Sequence, residues 1–118
     1  MIVFLVTAII ALIAGIASGL LGVGGGLILV PLFHFLLKMN MHVAIGTSLA
    51  VIVPTALISV FRNAPAQNVD WKIVLFASLF SIIGGLIGAS ISISLDVTLL
   101  KKIFAVFLIL VALRMLIQ

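Results

Sequence analysis

The sequence predicts an all-α, polytopic membrane protein: four spanning helices plus a broken or re-entrant, glycine-rich first region. Three observations carry that prediction. Of the 118 residues, 66% are hydrophobic and only 7% are charged, against roughly half and a quarter in soluble domains. The mean hydropathy is +1.65. The few charges also divide the chain into runs near the length of a membrane crossing, about 20 residues each. Four or five such segments fill residues 1–118 as a single transmembrane domain, with no room for a soluble catalytic domain. Disorder is excluded by the same composition, since disordered chains are poor in apolar residues.

The first element is expected at about residues 2–21. It opens without Lys or Arg and outlasts the apolar core of a secretion signal, so it reads as a mature membrane helix. Residues 2–37 carry no charge, and their polar side chains are Thr7, Ser18 and His34. That run is too long for one straight crossing and short for two. Gly22, Gly24, Gly25 and Gly26 interrupt it. Each glycine costs about 1 kcal/mol relative to alanine in a helix, so the chain should unwind there and resume as a short helix over about 27–37.

Lys38, Asn40 and His42 mark the first boundary. Residues 43–61 are again uncharged and end at Arg62. A second interruption is expected inside them at Gly46-Thr47-Ser48, ahead of Pro54, whose ring removes a hydrogen bond and bends a helix. Arg62 to Lys72 reads as a polar loop with Trp71 at the interface. Residues 73–95 form the next span, where Gly84 and Gly88, like Gly15 and Gly19, have the spacing of close helix packing. Asp96 opens the last loop, and residues 98–117 form the final span, with Lys101, Lys102 and Arg114 snorkelling to its ends.

Several function classes drop out. The formal charge is +4, but its six basic residues are scattered, which suits anchors to anionic headgroups and not a nucleic-acid surface. No cysteine is present, so disulfides and thiolate metal sites are excluded. His34 and His42 have no carboxylate or cysteine company, and no metal site is expected. No nucleophile, base and acid can be assembled, so no enzyme and no cofactor are expected. The stretch GLLGVGGG lacks the Lys-Ser or Lys-Thr of a Walker loop and the βαβ setting of a dinucleotide fingerprint.

What remains is the physics of the break. Non-helical backbone at membrane depth persists only where it is buried in protein or lines a cavity. The N–H groups of Gly24, Gly25 and Gly26 open the short helix, where free donors and the positive dipole end attract an anion. The candidate substrate-binding residues are therefore Ser18, Gly22, Gly24, Gly25 and Gly26 at the first break, and Gly46, Thr47 and Ser48 at the second. His34 is a candidate proton relay. The competing structural roles are close helix packing for the glycines and bonds back to the preceding turn for Thr47 and Ser48.

These residues form recognisable stretches: Gly15-x-x-Ser18-Gly-Leu-Leu-Gly-Val-Gly-Gly-Gly26 with Val30-Pro31-Leu32, then Ala44-Ile-Gly-Thr-Ser-Leu-Ala50, and more loosely Gly84-Gly-Leu-Ile-Gly-Ala89. In them the sequence resembles the TauE/SafE sulfite exporter family of membrane permeases. The resemblance implies transport of a small anion, either sulfur-containing (sulfite, thiosulfate, an organosulfonate) or a small carboxylate, driven by an ion or proton gradient. Members of that family are usually about twice as long and built of two related halves. This chain is then equivalent to one half and is expected to work as a homodimer, multi-pass in the cell inner (plasma) membrane. Lys38, Lys101 and Lys102 fall on one side and Arg62, Lys72 and Arg114 on the other. That balance gives the positive-inside rule nothing to act on, so an antiparallel, dual-topology dimer is expected. The alternative is an accessory or structural membrane subunit that packs through its glycine faces and transports nothing.

Overall fold

The computed structural model describes all of residues 1–118 and contains helices without strands. In order these are α1 (Ile2–Leu21), α2 (Gly26–Phe35), α3 (Met41–Asn63), α4 (Trp71–Ser94) and α5 (Val97–Ile117). Helices α1, α3 and α4 are long and apolar enough to cross a membrane; at about 1.5 Å per residue, each reaches the ~30 Å of the hydrocarbon core. Helix α5 has 21 residues but carries Lys101, Lys102 and Arg114. In lipid, backbone groups must bond internally, which favours helix wherever glycines do not accumulate.

The ends are fixed by local chemistry. Gly22 closes α1 in the left-handed region (φ 68°) and donates its N–H to the Ser18 carbonyl. Asn40 caps α3 by accepting from the His42 N–H, and Asp70 caps α4 by accepting from the N–H groups of Lys72 and Ile73. Such caps contribute about 1 kcal/mol each.

Contacts along α3 set the directions. A Cβ at Gly19 would lie 3.9 Å from Ser59 Oγ, so the end of α1 meets the far half of α3. Cβ atoms at Gly24 and Gly26 would approach Ile52, which stands at the midpoint of α3. Phe33, near the end of α2, joins the core with Met41 at the start of α3. Helix α1 therefore runs alongside α3 in the same sense, and α2 returns over about half the depth. The first region goes in and comes back, and the glycine break lies between the far end of α3 and its midpoint.

The core is small: Ile10 and Ala14 of α1, Leu29, Val30 and Phe33 of α2, Met41 and Ala44 of α3, and Leu100 of α5. It gathers where α2 is wedged between α1 and α3. Helix α4 buries no residue at all. It is joined to α3 at one end, where His42 Nε2–H donates to the Leu95 carbonyl at 2.9 Å.

Three boundaries differ from expectation. No interruption occurs at Gly46-Thr47-Ser48, because α3 is continuous from Met41 to Asn63. One glycine costs about 1 kcal/mol, whereas opening the backbone in lipid strands polar groups at several kcal/mol each. Beside Pro54, the Thr55 hydroxyl bonds back to the Val51 carbonyl at 3.0 Å. The expected loop of residues 62–72 is shorter, since Arg62 and Asn63 belong to α3, and Trp71 and Lys72 begin α4 behind the Asp70 cap. The short second helix stops at Phe35, two residues early. There the His34 ring, donating from Nδ1 to the Met39 carbonyl at 2.8 Å, holds a turn that passes through Lys38 at φ 55°.

Candidate functional site

Between Leu21 and Gly26 the chain turns through Gly22, Gly24 and Gly25 at φ 68°, 78° and 75°. Only glycine enters this region without a steric cost. The consequence is a row of free donors. None of the N–H groups from Val23 to Leu27 donates to a backbone carbonyl; the first bonds of α2 are Ile28 and Leu29 to the Gly25 carbonyl. Successive N–H groups beside left-handed residues form a concavity that suits an anion. The dipole of the ten-residue α2 places its positive end there as well.

A cavity of about 450 Å³ opens beside this turn, between the end of α1, the far half of α3 and the α3–α4 loop. Its polar lining comprises Ser18, Gly22, Gly24, Ser59, Asn63 and Asn68. Ser18 is 5% exposed and lines the cavity, and its hydroxyl, like that of Ser59 opposite, is in none of the hydrogen bonds within the chain, whereas Thr7, Ser48, Thr55, Ser90 and Ser94 bond back to their own helices. No buried side-chain oxygen in the chain lacks a partner, so the Ser18 hydroxyl keeps access to the cavity and is free to donate to a ligand there. Asn63 donates to the Ser59 carbonyl at 2.9 Å, and Asn68 donates to Asn63 Oδ1 at 3.3 Å. This chain of amides ties the loop to the end of α3, and Gln67 at φ 59° shapes its turn.

Of the residues singled out from sequence, the fold gathers Ser18, Gly22 and Gly24 in this cavity. Gly25 is buried against Ser18, whose Cβ lies 3.6 Å from where its own Cβ would stand, and Gly26 faces Ile52. Gly46, Thr47 and Ser48 lie elsewhere. Gly46 lines a separate apolar cleft between α3 and α4, with Gly85 and Gly88 opposite. Thr47 is half-buried on α3. Ser48 is 1% exposed, and its hydroxyl donates to the Ile45 carbonyl at 2.8 Å. His34 stands at the far end of α2 from the turn, about 12 Å away along the helix at 1.5 Å per residue, on the Met39 carbonyl. Sequence reasoning passed over Ser59, Asn63 and Asn68. The signal was present: Ser48, Ile52, Ala56, Ser59 and Asn63 recur every three or four residues along one face of α3.

The family model of the sulfite exporter TauE/SafE matches residues 7–118. A probable membrane transporter protein of Methanocaldococcus jannaschii is 32% identical over 107 residues, covering 86% of this chain and 40% of that relative. The probable membrane transporter protein YunE of Bacillus subtilis is 34% identical over 122 residues, covering 98% and 45%. The probable membrane transporter protein MamO of Paramagnetospirillum magneticum is 29% identical over 118 residues, covering 93% and 18%. The chain thus spans less than half the length of the curated relatives it matches. No solved structure matches it.

Proposed function

The chain belongs to the sulfite exporter TauE/SafE family, and on that premise we propose that it carries a small anion across the cell inner membrane as a homodimer. The anion is sulfur-containing (sulfite, thiosulfate or an organosulfonate) or a small carboxylate, and it passes without chemical conversion. Its membrane character and transporter kinship rest on the apolar helices and on relatives named probable membrane transporters.

The observation that carries the anion reading is the meeting of free N–H groups from Val23 to Leu27 with the unpartnered Ser18 hydroxyl, beside a cavity that runs along the far half of α3 to the α3–α4 loop. Each hydrogen bond to a charged ligand contributes about 1.5–3 kcal/mol, and the helix end adds about 0.3–1. The sum is a site that holds an anion without a fixed positive charge, so release is not prevented by an ion pair. Ser18, Gly22, Gly24, Gly25 and Gly26 are assigned to the substrate. Gly46 and Thr47, on the flank of α3 that a second copy would bring to the pathway, form a second group of ligands, and Ser48 beside them is bonded to its own helix. His34 carries protons at the opposite end of α2.

The dimer is antiparallel. The unit that α1 to α5 form has its ends on opposite sides, so two copies inserted in opposite senses reproduce the inverted repeats common among transporters. A bare α4 and relatives of more than twice the length support a second unit. The transport test is uptake of labelled sulfite into proteoliposomes, for which flux is expected from the wild type and background from a glycine variant that still inserts. The orientation test is a pair of topology reporters on the C-terminus. Signal from both is expected; signal from one alone would leave at most a parallel dimer.

A further inference from the structure

We propose that the cavity selects by charge state, admitting monoanions and turning away dianions; this rests on the anion-transport reading above. No Lys, Arg, His, Asp or Glu lines it. Its ligands are neutral: Ser18, Ser59, Asn63, Asn68 and backbone N–H groups. The charges nearest in sequence are held elsewhere. Arg62 is exposed, and Asp70 and Lys72 line a separate, more open hollow that meets this cavity only at Asn68 and Val69. His34 and His42 are tied to the Met39 and Leu95 carbonyls at the other end of the molecule.

Two scaling laws then decide the matter. The cost of taking an ion out of water rises with the square of its charge, whereas its attraction to neutral dipoles rises only in proportion to the charge. A second negative charge therefore costs more than these ligands return. Sites that hold dianions commonly use Arg or Lys, whose full charges offset the difference. The amide oxygens add a positive preference. Asn68 Oδ1 accepts no hydrogen bond within the chain, and the O–H of a protonated oxyanion can donate to it, which a fully deprotonated dianion cannot do.

The substrate class is thus hydrogen sulfite, sulfonates and carboxylates, in preference to the sulfite, sulfate and thiosulfate dianions, which narrows the set of anions proposed above. Sulfite tests this directly, because its monoanion and dianion interconvert near neutral pH. Proteoliposomes carrying the wild-type protein would be assayed for labelled sulfite uptake from mildly acidic to mildly alkaline pH. Methanesulfonate, a monoanion throughout, and sulfate, a dianion throughout, would serve as competitors. The apparent KM for total sulfite should rise with pH as the monoanion disappears. Methanesulfonate should compete equally well across the range, with sulfate at least about tenfold weaker, a difference worth about 1.4 kcal/mol. Asn63→Lys, which places a cation in the lining, should narrow that gap. Sulfate competing as well as methanesulfonate, or a KM that does not rise with pH, would overturn charge selection and leave transport standing. Absence of flux for every anion would overturn the transport reading and this one together.

Discussion

The backbone from Gly22 to Gly25 leaves the helix, turns through three left-handed residues and frees a run of N–H groups; from Gly46 to Ser48 it stays helical. Both segments set glycine beside small residues at membrane depth. The difference is number and placement. One glycine in α3 lowers the helix by about 1 kcal/mol, and the surrounding turns absorb it. Three glycines with positive φ supply a conformation that other residues enter only at about 1–2 kcal/mol each, so the chain can reverse there and expose donors. The hydroxyls follow the same division. Ser48 is bonded to its own helix, and Ser18 faces Gly25 and the cavity with no partner in the chain.

The variant expected to do most damage is Gly25→Val. It needs a left-handed backbone for a β-branched residue, and its side chain would fill the space against Ser18. Anion flux should fall to background while the amount inserted in the membrane, read by immunoblot of washed membranes, stays near wild type. Flux near wild type would remove the turn from the pathway.

Ser18→Ala comes next. It removes a hydroxyl that makes no bond within the chain, so stability without ligand should change by less than about 0.5 kcal/mol. The apparent affinity for the anion should drop about five- to tenfold, equivalent to roughly 1–1.5 kcal/mol. A loss of stability with no change in affinity would reverse the comparison with Ser48. Thr47→Val probes the other flank of α3 and should weaken apparent affinity by about 1 kcal/mol in the assembled dimer. An unchanged KM would assign that hydroxyl to the helix alone.

The smallest effect separates the two glycine segments by stability. Gly46 has open space where a Cβ would stand, so Gly46→Ala should raise thermal stability by up to about 1 kcal/mol. Gly25→Ala should lower it by about 1–2 kcal/mol because φ is positive there. Equal effects in thermal unfolding would mean that the two backbones are alike.

Much of this architecture is legible in the sequence. The end of α1 at Leu21 follows from the glycines, because a cluster of left-handed formers is a local property. The continuity of α3 through Gly46 and Pro54 was not legible. A local propensity argued for a break, and the cost of exposing backbone to lipid outweighed it. The return of α2 alongside α1 was one of two readings, a break or a re-entrant turn, since periodicity tells a helix from a coil but not its direction. Ser59, Asn63 and Asn68 reach the cavity only because α1 ends beside the far half of α3. Their helical spacing was visible, and their destination needed the fold.

Binding of a small anion by the glycine turn and Ser18 is read from the thermal unfolding of the purified protein in detergent, titrated with methanesulfonate. A ligand at 100 times its Kd stabilises the folded form by about 2.7 kcal/mol. The wild type should show a saturable rise, Ser18→Ala a rise displaced to higher ligand concentration, and Gly25→Val none. A wild type that methanesulfonate does not stabilise, or a Gly25→Val variant stabilised to the same extent, would contradict the account.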